Sequence, residues 1–241
     1  CFSSPFDPTS VELLEKLNVP AYKIASFEIT DIPLIELVAS KGKPIIISTG
    51  IAELEDIELA IEACERMGNE NIAILKCTSS YPAPIEEANM IMVKDFAERF
   101  NMIVGLSDHT IGSTAPVVAT CFGAKIIEKH FILDRSIGGP DSSFSMNEAE
   151  FTEMVKAVRE AEKAIGKVDY NLTDKQKKGK DFSRSLYIVE NIAEGEVLTE
   201  KNIRSIRPGF GLHPKFFKEV LGKKVKRNIE KGERLSLEDL E

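Results

Sequence analysis

Cysteine is scarce and unpatterned in this sequence. Four residues, Cys1, Cys64, Cys77 and Cys121, are scattered through 241 with no CxxC or similar spacing. That argues against a disulfide scaffold or a cysteine-held zinc, and it fits the reduced thiols of a cytoplasmic protein. Basic charge is in deficit: 31 Lys and Arg stand against 39 Asp and Glu, a net charge of −8. With no basic stripe interleaved with aromatics, no nucleic-acid partner is expected. No apolar run approaches the roughly 18 residues a membrane helix requires, so no membrane partner is expected either. No secretory signal opens the chain. No GxGxxG follows a strand-like run, which weighs against a dinucleotide site. Histidine is rare as well, with three in the chain.

What is present suffices for a packed core. The chain is 43% hydrophobic and 29% charged, and its length allows one large domain or two smaller ones. Short β-branched runs recur at 21–28, 43–49, 71–81, 102–108 and 124–131. Helical periodicity fills the intervals: "SVELLEKL", with Thr9 or Ser10 placed to cap it, "DIPLIELVASKG", "ELEDIELAIEACERMG", "ANMIMVKDFAERF" and "NEAEFTEMVKAVREAEKAIG". Strand then helix every 20 to 30 residues or so is the pattern of parallel βαβ units. A doubly wound open sheet and a (β/α)8 barrel both fit. Polar residues at nearly every strand's C-terminal end favour the barrel, whose active sites occupy that face. The opening "CFSSPFDP" starts without methionine and reads as the tail of a strand, as in a fragment. Counted from there, a barrel lacks its first two strands.

The expected boundaries are a barrel domain over 1–168, a polar and helix-poor linker over 169–181, and a small β-rich domain over 182–241. Within the last, "NIAEGEVLTEKNI" (191–203) aligns with "NIEKGERLSLEDL" (228–240) as a faint internal repeat.

The candidate chemistry lies at the strand ends. "GLSDHT" and "IIEKHF" each close an apolar run on an acidic residue and a histidine, His109 and His130. Neighbouring parallel strands would aim both imidazoles into one mouth, where they could hold a divalent metal. With only two protein ligands that ion is a loosely held Mn²⁺, Mg²⁺ or Co²⁺. The plain alternative is two satisfied core histidines. Lys23 and Ser26, with Ser4, Ser79 and Ser107 at other strand ends, compose a cradle for phosphate or carboxylate; serines there could equally cap the helices that follow. Lys23 within an apolar run needs an anionic partner, and Glu28 is either that partner or an acid/base group. "GGPDSSFS" (138–145) is a surface loop or a flexible cover that carries Asp141 to the site.

The ordered motifs "SSPFD", "YKIASFE", "PIIISTG", "KCTSSYPAP", "GLSDHT", "EKHF" and "GGPDSSFSM" resemble the sialic acid synthase family. "IRPGFGLHP" in the tail resembles that family's antifreeze-like (SAF) domain. The resemblance spans residues 2–241. It implies a TIM barrel followed by a SAF domain, and condensation of phosphoenolpyruvate with an amino sugar. "CTSSYPAP", "GGPDSSFS" and "SIRPGFGLHPK" are most similar to the branch whose acceptor is a 2,4-diacetamido-2,4,6-trideoxy-altrose. The branch that uses an N-acetylmannosamine-type acceptor commonly has asparagine where Ser79 stands.

By the same resemblance His109 and His130 are metal ligands, and Lys23, Ser26, Ser4, Ser79 and Ser107 hold phosphoenolpyruvate. Tyr81 and Asp141 lie on the sugar side, and Glu28 and Glu128 are active-site carboxylates, with Glu28 assisting at C2 of the enolpyruvyl unit. Arg207 is implied to reach the partner's barrel in a domain-swapped homodimer. Two readings compete: a metal-dependent barrel hydrolase or aldolase, and a non-catalytic carbohydrate-binding protein.

Overall fold

Five short strands pair in parallel and in sequence order: β1 (Tyr22–Ile24), β2 (Ile45–Ser48), β3 (Ile72–Cys77), β4 (Ile103–Asp108) and β5 (Ile126–Lys129). This computed structural model describes residues 1–241, as two units, Cys1–Lys167 and Val168–Glu241. In the first unit the order β1-β2-β3-β4-β5 runs without reversal. A doubly wound sheet reverses at a switch point. This sheet instead curls as a parallel half-barrel. The opening segment contributes a single parallel bridge, Ser3 with Tyr22, rather than a strand.

Each strand alternates its side chains between two faces. The register places Tyr22 beside Ile45, Ile47 beside Ile74, Ile74 beside Val104 and Leu106 beside Ile127. Those residues join the core that packs under the helices. Its helical side comes from α1 (Pro8–Lys16), α2 (Ile32–Ala39), α3 (Leu54–Arg66), α4 (Ile91–Phe100) and α5 (Thr114–Cys121), through Val11, Ile35, Val38, Ile57, Ala60, Val93, Phe96 and Ala119. The opposite face carries Lys23, Ser48, Cys77, Ser107 and Glu128. Parity alone therefore separates the apolar face of the sheet from the chemical one.

Helix starts follow capping chemistry. Asp7, rather than Thr9 or Ser10, caps α1: its carboxylate accepts from the Ser10 backbone N–H at 2.9 Å, and Pro8 follows it. Proline suits that first position because its missing N–H has no helical partner there. Asn147 and Glu150 form a reciprocal capping box at the start of α6 (Glu148–Ile165).

In the second unit, residues 174–179 form a short helix, α7 (Asp174–Gly179), where composition suggested none. Its cause is local, a reciprocal cap between Thr173 and Gln176. Strands β6 (Ser185–Ile188) and β7 (Ile203–Ile206) pair antiparallel. A second short helix, α8 (Phe217–Val220), follows.

The internal repeat is a physical duplication with an offset of 37 residues. Asn191 accepts from the Lys231 N–H and Asn228 from the Glu194 N–H, both at 2.8 Å. Glu196 accepts from Ala193 N–H and Glu233 from Glu230 N–H; Asn202 accepts from Thr199 N–H and Asp239 from Ser236 N–H. Ile192 and Ile229 exchange both backbone bonds at 2.9 Å. The equivalent apolar pairs Ile192/Ile229, Leu198/Leu235 and Ile203/Leu240 are all buried.

Candidate active site

The site grows from the last rungs of the β4–β5 ladder. Ser107 lies beside Glu128 and Asp108 beside Lys129. One residue further on come His109 and His130, back on the same face as Ser107 and Glu128. Ser107 Oγ donates to Glu128 Oε1 at 2.7 Å, and the two imidazole rings lie 5.2 Å apart between centroids.

Between these groups and the end of β1 lies a cavity of about 380 Å³. Of the residues singled out in the sequence, Ser4, Lys23, Ser26, Tyr81, Ser107, His109, Glu128 and His130 line it. Ser79 lies beside it, bonded to Ser26 at 2.7 Å between hydroxyls. Asp141 comes from the loop after β5, with its Oδ2 3.5 Å from His130 Nδ1.

Two candidates lie elsewhere. Glu28 does not line the cavity, because residues 26–30 form a turn before α2 and carry it past the strand end. One of its carboxylate oxygens is buried without a hydrogen-bond partner. Arg207 follows β7 in the second unit, with its side chain exposed.

Lys23 does have anionic company, but from Glu128 rather than Glu28. Its Nζ stands 3.6 Å from Glu128 Oε1 and donates to Ser48 Oγ at 2.7 Å and to the Ile24 carbonyl at 3.2 Å. Burial pushes its pKa down from 10.5, and the nearby Glu128 carboxylate only partly offsets that. An ammonium held in this state gains from an incoming anion.

Several residues were missed or set aside at the sequence level. Ser48 and Cys77 share the inward parity of Lys23 and Ser107, a signal that register makes readable. Phe144 closes on the histidines, with its ring 5.0 Å from His130 and 5.9 Å from Tyr81. Gly50 makes room for the Ser26–Ser79 bond: a Cβ there would fall 2.0 Å from Ser79 Oγ and 3.0 Å from Ser26 Cβ.

The histidines differ electrostatically. His109 is buried, and its Nδ1 lies 2.8 Å from the Thr78 carbonyl oxygen. A carbonyl can only accept, so Nδ1 carries the proton and Nε2 keeps its lone pair. Burial alone would lower the His109 pKa; hydrogen bonds to Cys77 and Thr78 and the charge of Asp108 outweigh it, and the net direction is up from 6.5. At His130, burial and then the neighbouring His109 push the pKa down. Tyr81 packs against His109 with ring centroids 4.2 Å apart.

The donor set fits a divalent cation. Both imidazoles turn Nδ1 toward an oxygen, from Thr78 or Asp141, which leaves the two Nε2 atoms available to an ion, the orientation usual in metal-binding histidines. No cluster of three or more His, Cys, Asp or Glu side chains completes a cage, so such an ion would keep positions for water and substrate.

A parallel sheet with lysine, hydroxyls and paired imidazoles at its C-terminal mouth defines an enzyme that handles an anionic substrate. The chain belongs to the NeuB family, whose profile matches residues 1–170, and residues 183–241 match the SAF domain. It is 48% identical over 241 residues to the pseudaminic acid synthase of Helicobacter pylori, covering 100% of this chain and 71% of that protein. It is 36% identical over 234 residues to the N,N'-diacetyllegionaminic acid synthase of Campylobacter jejuni, covering 96% and 70%. Among solved structures, a spore coat polysaccharide biosynthesis protein of Bacillus subtilis superposes with a TM-score of 0.66 at 35% identity, covering 100% of this chain and 73% of that one.

Proposed function

We propose that this chain condenses phosphoenolpyruvate with a 2,4-diacetamido-2,4,6-trideoxy-altrose to give pseudaminic acid and phosphate. The observation that carries the reaction is the cavity itself, lined by Lys23, the hydroxyls of Ser4, Ser26, Ser48 and Ser107, and both His109 and His130. The acceptor rests on the 48% identity to a pseudaminic acid synthase, against 36% to a legionaminic acid synthase.

In this reading Lys23 supplies the compact charge that takes the phosphate or carboxylate of phosphoenolpyruvate, and the serine hydroxyls donate around it. His109 and His130 hold the divalent cation, which when bound supplies Lewis acidity toward an aldehyde oxygen. A new bond forms between C3 of phosphoenolpyruvate and C1 of the open-chain sugar. The C1=O π pair moves onto the aldehyde oxygen, which takes a proton. Positive charge develops at C2, where water adds and gives up a proton. The C2–O bond to phosphate then breaks with its electrons leaving on phosphate, as the C2 hydroxyl loses its proton and C2 becomes a ketone. Glu128, in contact with Lys23 and Ser107, takes the role of stabilising that cation or orienting the water in this reading. Glu28, the carboxylate that the resemblance assigns to C2, does not line the cavity, and this reading gives it no contact with the reacting atoms. Tyr81, Phe144 and Asp141 bound the acceptor's side and limit water there.

The reading extends to a (β/α)8 barrel that contains this five-strand sheet. It also extends to a cytoplasmic, domain-swapped homodimer in which Arg207 serves a partner's site. All four cysteines are free thiols, in keeping with a reducing compartment.

The test is phosphate release with phosphoenolpyruvate and Mn²⁺, offering the diacetamido-altrose and N-acetylmannosamine separately. Release with the altrose sugar alone is expected. Release with N-acetylmannosamine alone would move the acceptor to the neuraminate type, and silence with both would sink the synthase reading of this chain.

A further inference from the structure

We propose that the Asp108–Lys129 ion pair, on the face of the sheet opposite the cavity, is the positioning device that sets the spacing of His109 and His130. Neither side chain touches the cavity. Lys129 Nζ meets Asp108 Oδ2 at 2.6 Å, and each side chain is 1% exposed. The pair sits at the last rung of the β4–β5 ladder.

Both histidines begin one residue past that rung, where no ladder bond fixes the backbone of one relative to the other. Lys129 replaces the missing rungs. Besides Asp108, its ammonium donates to the carbonyl of Thr110 and, at 3.1 Å, to that of Gly112. Asp108 Oδ1 accepts from the Thr110 N–H at 2.9 Å. Lys129 on β5 therefore grips the backbone on the far side of His109, while His130 follows it directly in sequence. One ammonium ties the turn that carries one histidine to the strand that carries the other.

Past that rung the backbone hydrogen bonds hold each histidine separately, whereas Tyr81 packs against both rings on the cavity side, with centroids 4.2 and 6.1 Å away. The His109 carbonyl accepts from the Ala83 N–H at 3.0 Å and that of His130 from the Met146 N–H at 2.9 Å. Neither bond links the two. A buried ion pair is weak evidence for net stability, since apolar replacements often serve as well. Register control is its better-attested use, and that is the role assigned here.

The consequence for metal binding rests on the reading of the two histidines as ligands; the geometric claim does not. The experiment uses the full chain in three variants: Lys129→Met, Asp108→Asn, and Asp108→Leu with Lys129→Met, which refills the volume. Crystal structures report the His109–His130 ring separation, and electron paramagnetic resonance of free Mn²⁺ reports its Kd. The expected result is a ring separation displaced from 5.2 Å by more than about 0.5 Å, the tolerance of a preorganised site. With it, Mn²⁺ binding weakens by about 10- to 100-fold, as for lost outer-shell partners. Rings that stay in place in the folded variants overturn the proposal, whatever the metal does. Displaced rings in a protein whose wild type binds no Mn²⁺ would support the positioning role and remove the metal reading instead. Failure of all three variants to fold would assign the pair to stability alone and overturn it as well.

Discussion

The two units of this chain use polar residues in opposite ways. The first, residues 1–167, holds 15 Lys and Arg against 26 Asp and Glu; the second, 168–241, holds 16 against 13. Within the second, polar side chains close on their own duplicate. Asn191 and Asn228 each cap the other repeat's backbone, and the Glu196/Glu233 and Asn202/Asp239 turns recur 37 residues apart. In the first, Lys23, Ser26, Ser107 and His109 are buried around a cavity with bonding capacity left over. Polar groups consumed by structure signal a scaffold, whereas polar groups buried with capacity to spare signal chemistry.

The largest expected effect tests that contrast directly. Lys23→Met should lower kcat/KM for phosphoenolpyruvate by on the order of 10²–10³-fold while leaving the far-UV circular dichroism intact. A variant that keeps its rate would remove Lys23 from the anion cradle. Next come Leu198→Ala and Leu235→Ala, equivalent and fully buried in the second unit. Each should cost about 3 kcal/mol in urea unfolding of the full chain. The two costs should match, and a large inequality would break the symmetry argument.

Smaller again are Asn191→Ala and Asn228→Ala, each expected to cost about 1 kcal/mol. Hydrogen exchange at the Ile192 and Ile229 amides, which pair with each other, should quicken equally in both. The smallest effect belongs to Asp7, whose pKa is held down at about 2 from an ordinary 3.8, chiefly by the Thr9 hydroxyl and the Ser10 N–H. A depressed carboxyl stabilises above its unfolded pKa and loses that contribution as pH falls through the folded one. Asp7→Ala should therefore lower the melting temperature by about 2 °C at pH 7, and the gap should close between about pH 4 and pH 2. A gap undiminished at pH 2 would show that charge is not what caps α1.

Most of the fold was legible in the alternation of short β-branched runs with amphipathic segments, because parallel strands covered on one face by helices need that periodicity. The misses are local and have local causes. Helix α7 arises from one Thr173–Gln176 cap in a stretch whose composition reads as linker. The start of α1 passes to Asp7 because an acidic cap before proline outcompetes the hydroxyls that follow it. The partner of Lys23 stayed open in the sequence for a different reason. Glu28 is five residues away in the sequence, yet a turn carries it past the cavity, while Glu128 arrives from a strand four places along the sheet.

What the sequence determined by itself was residue type and parity: which side chains occupy strand ends, and which alternate ones share a face. That follows from the two-residue period of a strand, and it sufficed to group Ser107 with His109 and Glu128 with His130. Only the tertiary structure decided how strands distant in the chain register against one another. The curl of the sheet placed Lys23 within 3.6 Å of Glu128, and the pairing of β4 with β5 brought the two imidazoles side by side, 5.2 Å apart. It also put Asp108 against Lys129 on the far face. Curling a sheet converts sequence separation into proximity, and no local pattern carries that distance.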